Sequence, residues 1–318
     1  MSRLLIIDSH AIVHRAYHSI PKLSHNGQVV NAVYGFYSML LSAVAQLHPK
    51  YVIICSDSPG PNFRNAEFIG YRAKRAIPDR ELISQFPILD QSLARANLPV
   101  FAVGGYEADD LIATVTRQSL TKRRQSDKKP LVDHIYIITG DKDIMQLVTP
   151  QIELFMPIRG LSEVKIIGPE GVKEKLGVNP DQVVDLKALI GDNSDNYPGI
   201  PGVGPVTAID LLAKYQTLDN IYTHLDKIPQ ALREKLISNK EEAYLSQKLA
   251  QLVSDVPFIK FKLKDAVWTK DRLNNLADVF TSFGFKSLVS RINKQFGLKT
   301  NISAIIKNKV DSNQQQLF

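Results

Sequence analysis

The first half of the chain contains short apolar runs that end in an acidic residue or a turn. Four of these runs are rich in Val and Ile and show little polar alternation: Leu4–Asp8, Tyr51–Asp57, Val100–Gly105 and Ile135–Asp141. This composition is typical of strands that are buried on both faces of a parallel sheet. Helical patterns, such as Val33–Leu47 and Leu82–Ala96, lie between the runs. The pattern therefore predicts an α/β fold, with a mostly parallel central sheet flanked by helices.

The second half of the chain, from about Gly177, has a different pattern of helices separated by Gly and Pro. The stretch G-I-P-G-V-G, Gly199–Gly204, separates two predicted helices, Asp181–Ile190 and Val206–Lys214. The alternation of charged and apolar residues over Lys260–Lys264 predicts a short strand. Helices are expected to continue to about Ile292, and the polar residues 293–318 are expected to form a flexible tail.

Carboxylates lie at the ends of all four predicted strands. The set consists of Asp8, Asp57, Glu107, Asp109, Asp110, Asp141 and Asp143. Because the carboxyl ends of parallel strands share one edge of a sheet, we expect these side chains to converge in one crevice. Asp192 and Asp195, in G-D-N-S-D-N, belong to the next segment and could reach the same place.

This concentration of acids predicts a metal site. Neighbouring carboxylates repel each other unless they are protonated or neutralised by cations. Oxygen ligands without His or Cys favour hard cations, which predicts Mg²⁺, with Mn²⁺ as a substitute. Two such ions about 4 Å apart activate a water and stabilise the leaving oxygen in phosphodiester hydrolysis. Taken alone, Asp109 could simply cap a helix and Asp57 could simply form a loop, but four acidic strand ends rarely arise by chance.

Two further features are suited to binding a nucleic acid. The formal net charge is +7, which favours an anionic partner. Residues 63–80 combine basic and aromatic side chains, namely Phe63, Arg64, Phe68, Tyr71, Arg72, Lys74, Arg75 and Arg80. Such a segment suits a groove that grips single-stranded backbone, although a solvated helix face is the simpler alternative. The backbone N–H groups of Gly199–Gly204 could clamp a duplex phosphate, or the turn could only connect two helices.

Other features of the sequence exclude some classes of protein. No G-x-x-x-x-G-K-[ST] loop is present, which argues against ATP as a substrate. The single cysteine, Cys55, cannot pair within the chain and fits a reducing cytoplasm. No signal peptide is evident, and no apolar stretch approaches the roughly 18 residues of a membrane span. A second basic patch, Lys122–Lys129, is expected to be an exposed loop.

The motifs together resemble the 5′-nuclease superfamily, specifically the 5′→3′ exonuclease domain of bacterial DNA polymerase I and related phage and flap nucleases. The matching motifs are Asp8 with H-R-A-Y-H, Asp57 with F-R, E-A-D-D, T-G-D-K-D and G-D-N-S-D-N, the last shortly before P-G-I-P-G-V-G. The resemblance implies a metal-binding α/β domain over residues 1–175 with a helical arch at about 63–90. It also implies a helix–three-turn–helix domain over residues 176–292 that binds duplex DNA together with K⁺, followed by the tail.

The resemblance also implies a role for individual residues. Asp8, Asp57, Glu107 and Asp109 match the first metal site, and Asp143, Asp192 and Asp195 match the second, with Asp110 and Asp141 supporting them. Arg15 and Arg64 match phosphate-contacting positions, and Gly199, Gly202 and Gly204 match the potassium-binding turn. The arch motif Y-K-x-x-R reads Y-R-A-K-R here, from Tyr71 to Arg75. Arg72 therefore replaces the lysine expected to assist at the scissile phosphate, with Lys74 and Arg75 nearby, which puts the rate in doubt.

The end of the chain suggests a protein partner. Its last five residues, Q-Q-Q-L-F, resemble the Q-x-x-L-F peptide by which bacterial replication proteins bind the sliding clamp. Gln314, Leu317 and Phe318 would make this contact on a flexible tether. A polar tail that ends in two apolar residues by chance is the alternative. A clamp-binding end would favour a natural stand-alone nuclease, expected to be a monomer, over a fragment of a polymerase.

We therefore expect a metal-dependent 5′→3′ exonuclease and 5′-flap endonuclease that acts on DNA in primer removal and repair, with RNA–DNA primers as possible substrates. One alternative is a ribonuclease of the PIN type, which shares the acidic sheet edge but is usually shorter and lacks the arch and the glycine turn. Another is a non-catalytic module that binds flap DNA. This alternative would require a broken metal site, whereas all nine acids are present.

Overall fold

The computed structural model describes residues 2–121, 131–161, 163–259 and 261–297. The predicted loop at Lys122–Lys129 and the predicted clamp-binding residues Gln314, Leu317 and Phe318 lie outside the described residues.

A six-stranded sheet forms the centre of the described chain. The strands are β1 Arg3–Asp8, β2 Ser24–His25, β3 Gln28–Val29, β4 Tyr51–Cys55, β5 Val100–Phe101, β6 His134–Ile138, β7 Ile152–Arg159, β8 Glu163–Ile167, β9 Gly191–Asp192 and β10 Tyr197–Pro198. The central sheet has the order β5-β4-β1-β6-β7-β8, while β2 pairs with β3 and β9 with β10. Its first five strands are parallel, and β8 is antiparallel to β7. The prediction of a mostly parallel α/β sheet is confirmed.

Fourteen α-helices surround and extend this sheet within the described ranges. They are α1 Ser9–Ser19, α2 Asn31–Leu47, α3 Phe63–Glu67, α4 Arg80–Ile83, α5 Gln85–Arg95, α6 Ala108–Thr121, α7 Pro169–Leu176, α8 Val183–Ile190, α9 Pro205–Tyr215, α10 Leu218–Thr223, α11 Gln230–Ser238, α12 Lys240–Ala250, α13 Lys270–Ser282 and α14 Lys286–Phe296. Short 3-10 helices lie at Asp143–Leu147, Pro180–Gln182, Leu225–Lys227 and Leu263–Ala266. No helix among these is long and apolar enough to cross a membrane.

The centre of the sheet is buried on both faces because successive residues 4–7 of β1 and 52–55 of β4 are all apolar. Leu5 and Ile7 of β1 pack into one cluster with residues of α1, α2, α5, α13 and α14. Leu4 and Ile6 point to the opposite face and pack with residues of α6, α8 and α9. Successive residues of a strand point to opposite faces, so an uninterrupted apolar run is what two covered faces require.

Some predicted elements differ from those observed. The third predicted strand is reduced to Val100–Phe101, and β7 and β8 were not predicted. The strand predicted at Lys260–Lys264 is wrong, since within the described residues this stretch leads into the 3-10 helix Leu263–Ala266. Phe261 packs there against Phe101, with 5.8 Å between ring centroids. Packing against the sheet edge therefore outweighs the weak alternation of five residues.

The arch segment, residues 63–90, is helical only in part. It contains α3, α4 and most of α5, but residues 68–79 between α3 and α4 form turns and irregular backbone. A capping box at Asn62 and Asn65 starts α3. Tyr71 is buried, whereas Ile69 and Ile77 are more than nine-tenths exposed. Within residues 68–79, Tyr71 therefore packs into the protein, whereas Ile69 and Ile77 face solvent.

Candidate active site

The carboxyl ends of the parallel strands bring predicted acids together in one cleft. The lining of this cleft includes Asp8, Asp57, Asp109 and Asp141, which follow or end different strands. A neighbouring cleft is lined by Asp141, Asp143 and Asp192, so that Asp141 belongs to both. The acids therefore form two adjoining groups along one edge of the sheet, as the strand ends predict.

Backbone and side-chain donors hold the acids of the first group. Asp8 is the N-cap of α1 and accepts a hydrogen bond from the Ala11 N–H at 3.0 Å. The Thr139 hydroxyl donates to the other oxygen of Asp8 at 2.8 Å. Asp57 accepts from the Ala108 N–H at 2.7 Å, which joins the end of β4 to the start of α6. These hydrogen bonds fix the orientation of the Asp8 and Asp57 carboxylates relative to the N-termini of α1 and α6.

Burial and mutual repulsion disfavour the charged forms of these acids. Burial, opposed by the Ala11 and Thr139 hydrogen bonds, raises the pKa of Asp8 to about 7. The pKa of Asp109 is raised well above its ordinary value by burial and by the charges of neighbouring acids, chiefly Asp141 and Asp8. The Asp109 carboxylate accepts no hydrogen bond from any described residue. A bound cation would stabilise the charged form of Asp109, which no hydrogen bond from the described residues stabilises.

Glu107 and Asp195 form a third cluster around Arg72. The Arg72 guanidinium contacts Glu107 at 2.5 Å and Asp195 at 3.0 Å, so it lies between the two carboxylates. The Tyr71 hydroxyl lies 3.1 Å from Glu107 and 3.0 Å from Asp195. Arg75, which is half exposed, reaches Asp195 at 3.3 Å. The arch segment is thus bound to the acids through Tyr71, Arg72 and Arg75.

The second acidic group contains a lysine. The Lys187 ammonium of α8 contacts both Asp143 and Asp192, the latter at 2.5 Å. Burial and the Asp141 charge raise the pKa of Asp143 to about 7, against the opposing effect of Lys187. Burial also acts on Asp192, but the Lys187 charge and several hydrogen bonds outweigh it and lower its pKa to about 2. Lys187 therefore occupies the space between two predicted metal ligands.

Arg64 and Asp110 form a buried ion pair beside Glu107, whose N–H donates to Asp110 at 3.2 Å. The Arg64 side chain is 1% exposed and cannot contact a phosphate in this position. Its guanidinium donates to both oxygens of Asp110 at 2.8 Å and to the carbonyls of Leu249 and Gln251. Asp110 is fully buried by this pair. The two residues connect α3 and α6 to the end of α12.

Other predicted residues lie at the rim of the cleft. Arg15 lines the first cleft but donates to the carbonyls of Ile158 in β7 and Gly160 in the turn that follows. Lys74 is exposed beside the Arg72 cluster. Arg15 therefore lies in the cleft that contains Asp8 and Asp57, whereas Lys74 faces solvent two residues after Arg72.

The glycine turn packs directly against the second acidic group. A Cβ at Gly199 would lie 2.2 Å from the carbonyl carbon of Ile190 and 2.3 Å from the Gly191 nitrogen. Gly202 has a φ of +77°, and the Lys235 side chain lies where its Cβ would point. Gly204 is the N-cap of α9, with open space around its Cα. Of these three positions in the turn, Gly199 and Gly202 require glycine for the fold of the free protein, and Gly204 does not.

Sequence reasoning missed three residues that shape the site, namely His10, Lys187 and Tyr197. His10 accepts a hydrogen bond from the Asp57 N–H at 3.2 Å, and its ring stacks on Phe86 at 4.3 Å. Lys187 contacts Asp143 and Asp192 of the second acidic group, and Tyr197 lies opposite Asp192 in the β9–β10 ladder. The signal for Lys187 was its position one and a half helical turns before Asp192. Nothing in the sequence alone distinguished the other two.

The acids are not arranged as a finished metal shell. Within the described ranges, no three Asp, Glu, His or Cys side chains converge as they would around a bound ion. Arg72 and Lys187 explain this, because each lies between carboxylates that would otherwise share a cation. The donor set still fits a divalent cation, since it is made of oxygens and includes a buried carboxylate without a donor, Asp109.

Two family models match the chain over most of its length. The model described as 5′-3′ exonuclease, N-terminal resolvase-like domain, matches residues 3–177, and 5′-3′ exonuclease, C-terminal SAM fold, matches residues 178–274. DNA polymerase I of Bacillus caldotenax is 33% identical over 293 residues, covering 91% of this chain and 32% of that protein. A 5′-3′ exonuclease of Bacillus subtilis (strain 168) is 32% identical over 298 residues, covering 92% of this chain and 97% of that protein. The chain thus spans about a third of the length of the polymerases it matches.

Solved structures with a similar fold include a phage exonuclease and a DNA-bound catalytic core. A structure of T5 5′-exonuclease with bound zinc ions has a TM-score of 0.64 at 20% identity, covering 93% of this chain and 98% of that chain. The catalytic core of Rad2 in complex with a DNA substrate has a TM-score of 0.59 at 18% identity, with 92% of each chain covered. At these identities the likeness establishes the fold.

Proposed function

The chain belongs to the 5′-3′ exonuclease family, and from this premise we propose that it hydrolyses DNA phosphodiester bonds as a 5′→3′ exonuclease and 5′-flap endonuclease. The observation that carries the proposal is the pair of adjoining acidic clefts at the strand ends, which share Asp141. Two groups of oxygen ligands side by side are what hydrolysis assisted by two cations requires.

We assign the acids to two cation sites from their grouping in the two clefts and, for Glu107 and Asp195, from the resemblance of the sequence motifs. The first would be held by Asp8, Asp57, Glu107 and Asp109, and the second by Asp143, Asp192 and Asp195, with Asp141 between them. Mg²⁺, for which Mn²⁺ can substitute, would activate the attacking water and neutralise the charge of the leaving oxygen. Asp110 is left out of this assignment because Arg64 engages both of its oxygens.

The basic residues of the arch segment would act on the phosphate. Arg72 and Arg75 already lie at the first cleft, so their guanidinium groups need only small movements to contact a phosphate beside it. Lys74 is exposed and would contact the backbone of the incoming strand. Tyr71, held by Glu107 and Asp195, would keep this part of the arch segment in register with the acids.

Duplex DNA would bind at the glycine turn. Gly204 begins α9, whose free N–H groups and dipole favour a phosphate, and its open surroundings let a backbone approach closely. A K⁺ ion held by carbonyls of the Gly199–Gly204 turn would add to this contact. The turn packs against the Gly191 nitrogen, next to Asp192. Duplex binding there would fix the distance between the bound duplex and the cleaved bond.

Cleavage of end-labelled substrates tests the proposed activity. A 5′-flap duplex, a nicked duplex and a single-stranded RNA are incubated with the protein and Mg²⁺. We expect cleavage of the two DNA substrates from the 5′ side and its loss in Asp143→Ala and in Asp109→Asn. Arg95→Met, an exposed change on α5, serves as the control variant. Absence of cleavage, or cleavage unaffected by Asp143→Ala, would refute the proposal, and a preference for the RNA would favour a PIN-type ribonuclease.

We further propose that the protein works as a monomer in primer removal and repair and binds a sliding clamp through Gln314, Leu317 and Phe318. The support is the Q-x-x-L-F pattern of these residues. Binding to a bacterial clamp is compared for the full chain and for a chain without residues 314–318, with flap cleavage as the measure of integrity. Equal affinity of the two chains would end the clamp proposal, and sedimentation as a dimer would end the monomer proposal.

A further inference from the structure

Lys187 balances the charge of the second acidic group. Its side chain is 12% exposed, and its ammonium contacts the carboxylates of Asp143 and Asp192. A divalent cation between these two acids would need the same space and the same oxygens. An ammonium and a divalent cation repel each other strongly at such short distances. Lys187 must therefore move when a cation is bound by Asp143 and Asp192.

The Tyr197 hydroxyl oxygen is an acceptor that this ammonium could reach after it moves. It lies in β10, directly opposite Asp192 of β9, and only 4% of the residue is exposed. Its ring packs parallel to Tyr71, with 6.5 Å between centroids, and against the cluster that contains Val184 and Leu249. Among the described residues, no group forms a hydrogen bond with its hydroxyl. Buried hydroxyls nearly always have a partner, so this unpaired atom requires an explanation.

Tyr197 and Asp192 are cross-strand partners, so their side chains project from the same face of the β9–β10 ladder. Burial raises the pKa of Tyr197, and the largest charge effect on it is the opposing one from Lys187, followed by those of Asp143 and Asp192. Its hydroxyl therefore lies unpaired on a side chain that shares a face of the ladder with Asp192, a contact of Lys187.

We propose that Lys187 and Tyr197 are a positioning pair for the second cation site. Without a cation, the Lys187 ammonium bridges Asp143 and Asp192 and keeps the two carboxylates together. When a divalent cation binds these carboxylates, the ammonium moves away and donates to the Tyr197 hydroxyl oxygen. This inference rests on the proposed two-cation function and adds two residues that control how tightly the second cation binds.

The pair makes opposite contributions to cation affinity. Lys187 competes with the cation, so removing its charge should tighten binding at the second site. Tyr197 accepts the displaced ammonium, so removing its hydroxyl should weaken binding there. The effect of Tyr197 requires the presence of Lys187, because the hydroxyl acts on the cation only through the ammonium. The two substitutions should therefore be strongly non-additive.

Mn²⁺ binding in the absence of DNA tests the pair directly. Calorimetry and the paramagnetic resonance signal of free Mn²⁺ give the affinity of each site for wild type, Tyr197→Phe, Lys187→Met and the double variant. We expect Tyr197→Phe to weaken the second site about tenfold, the change typical of one hydrogen bond to a charged group. Lys187→Met should tighten it, and Tyr197→Phe should have no further effect in the Lys187→Met background.

Tyr215→Phe is the matched control. The Tyr215 hydroxyl is also buried without a hydrogen-bond partner in the described part of the chain, but it lies in α9. Its removal should leave Mn²⁺ binding unchanged. Lys187→Gln is a second, polar variant of the same size class, in case Lys187→Met lowers the yield of folded protein, and thermal unfolding confirms folding in each case.

The outcomes separate this inference from the proposed function. If wild type binds two Mn²⁺ ions but Tyr197→Phe has no effect, or has the same effect with and without Lys187, the positioning pair is refuted and the nuclease proposal stands. An equal loss of Mn²⁺ affinity with and without Lys187 would indicate that Tyr197 acts only through its packing. If wild type binds no Mn²⁺ at all, the proposed two-cation function fails, and the inference fails with it.

Discussion

Basic side chains separate the acids of this site at the level of single residues. Arg72 lies between Glu107 and Asp195, and Lys187 lies between Asp143 and Asp192. A carboxylate buried without such a partner is destabilised in its charged form. Burial raises the pKa values of Asp8 and Asp109, which have no basic partner at contact distance among the described residues, and it also raises the pKa of Asp143 against the opposing charge of Lys187. Protonation and cation binding are therefore alternative ways of neutralising the same acids.

The stability of the cation-free protein should decrease with rising pH. The pKa values of Asp8 and Asp143 are raised to about 7 by burial and by neighbouring acids, whereas both acids have lost their protons above about pH 4 in the unfolded chain. The folded state therefore holds extra protons between these values, and this stabilisation is lost as the pH rises through 7. In EDTA, we expect the free energy of unfolding by urea to fall by about 1–3 kcal/mol between pH 5.5 and 8, and Mg²⁺ to restore it at pH 8.

Asp8→Asn is the control for this pH effect. The pKa values of His10 and His14 are lowered, mainly by burial, so these two side chains favour the folded state at higher pH and oppose the trend. Comparing the variant with wild type removes their contribution, because both proteins contain the same histidines. The variant should show a shallower fall in stability over the same pH range. Parallel curves for the two proteins would contradict the assignment of the effect to Asp8.

Arg72 should be required for fast cleavage, and a lysine should replace it in part. Its charge would stabilise the phosphate once it is released from Glu107 and Asp195, and removing one such group typically costs about 100-fold in rate. We expect that loss in Arg72→Met, and a rate within about tenfold of wild type in Arg72→Lys, which keeps the charge. Single-turnover cleavage of a flap duplex measures both. An unchanged rate in Arg72→Met would exclude a catalytic role.

Among the elements, the buried Arg64–Asp110 pair joins the arch segment to the C-terminal helices. Arg64 lies in α3 and pairs with Asp110 of α6. It also donates to the carbonyls of Leu249 and Gln251 at the end of α12. Removing one partner of a buried pair leaves an uncompensated charge and typically costs 3–5 kcal/mol. We therefore expect Arg64→Met to lower the free energy of unfolding by about 3 kcal/mol or more, as measured in urea with Mg²⁺ present.

An exposed pair between the same elements provides the control. Lys248 of α12 contacts Glu67 of α3 at 2.7 Å, with 60% of the lysine side chain exposed. An exposed ion pair contributes about 0–1 kcal/mol, so Lys248→Met should change the stability little. If both variants lost the same stability, burial of the Arg64 pair would not be the cause.

The two ends of the glycine turn should respond differently to a methyl group. At Gly199 it would collide with the backbone of Ile190 and Gly191, which must then move together with the neighbouring Asp192. Overpacking of this kind typically costs about 1–3 kcal/mol. Gly204 has open space and ordinary extended backbone, so Gly204→Ala should keep the stability and weaken duplex binding roughly tenfold, or about 1.4 kcal/mol. Thermal unfolding and duplex affinity in EDTA measure the two effects, and unchanged affinity in Gly204→Ala would exclude close contact there.

The sequence predicted the elements whose signal is local. The strands β1, β4 and β6 were found because their residues are apolar without alternation, and the acids at their ends followed from the geometry of parallel sheets. The burial of Arg64 could not be predicted, since its carbonyl partner Leu249 is 185 residues away in the chain. The same holds for Lys187, because its contact with Asp143 depends on how α8 packs against the sheet edge. Long-range contacts of polar groups leave no periodic pattern.

At the scale of the whole molecule, one apolar core runs through both regions matched by the family models. The cluster on one face of the sheet contains Leu4 and Ile6 of β1 and continues through Leu189 and Leu212 to Leu236 in α11. The chain then returns, and α13 and α14 pack on the opposite face beside α2 and α5. The glycine turn is therefore held at a fixed position relative to the acids. This continuity supports the proposal that duplex binding at the turn determines where cleavage occurs.

The charge of the whole molecule should make DNA binding strongly dependent on salt. The chain has 39 Lys and Arg against 32 Asp and Glu, and nine of the acids belong to the predicted metal site. The positive excess on the remaining surface is correspondingly larger, and it would release counterions from each phosphate it contacts. We expect the logarithm of the duplex Kd, measured in EDTA, to rise linearly with the logarithm of the KCl concentration. Lys235→Met, which removes an exposed charge over Gly202, should lower the slope by about 1. Lys165→Met, an exposed residue paired with Glu174 on β8 and α7, should leave it unchanged, and equal slopes for all three proteins would place the duplex away from the glycine turn.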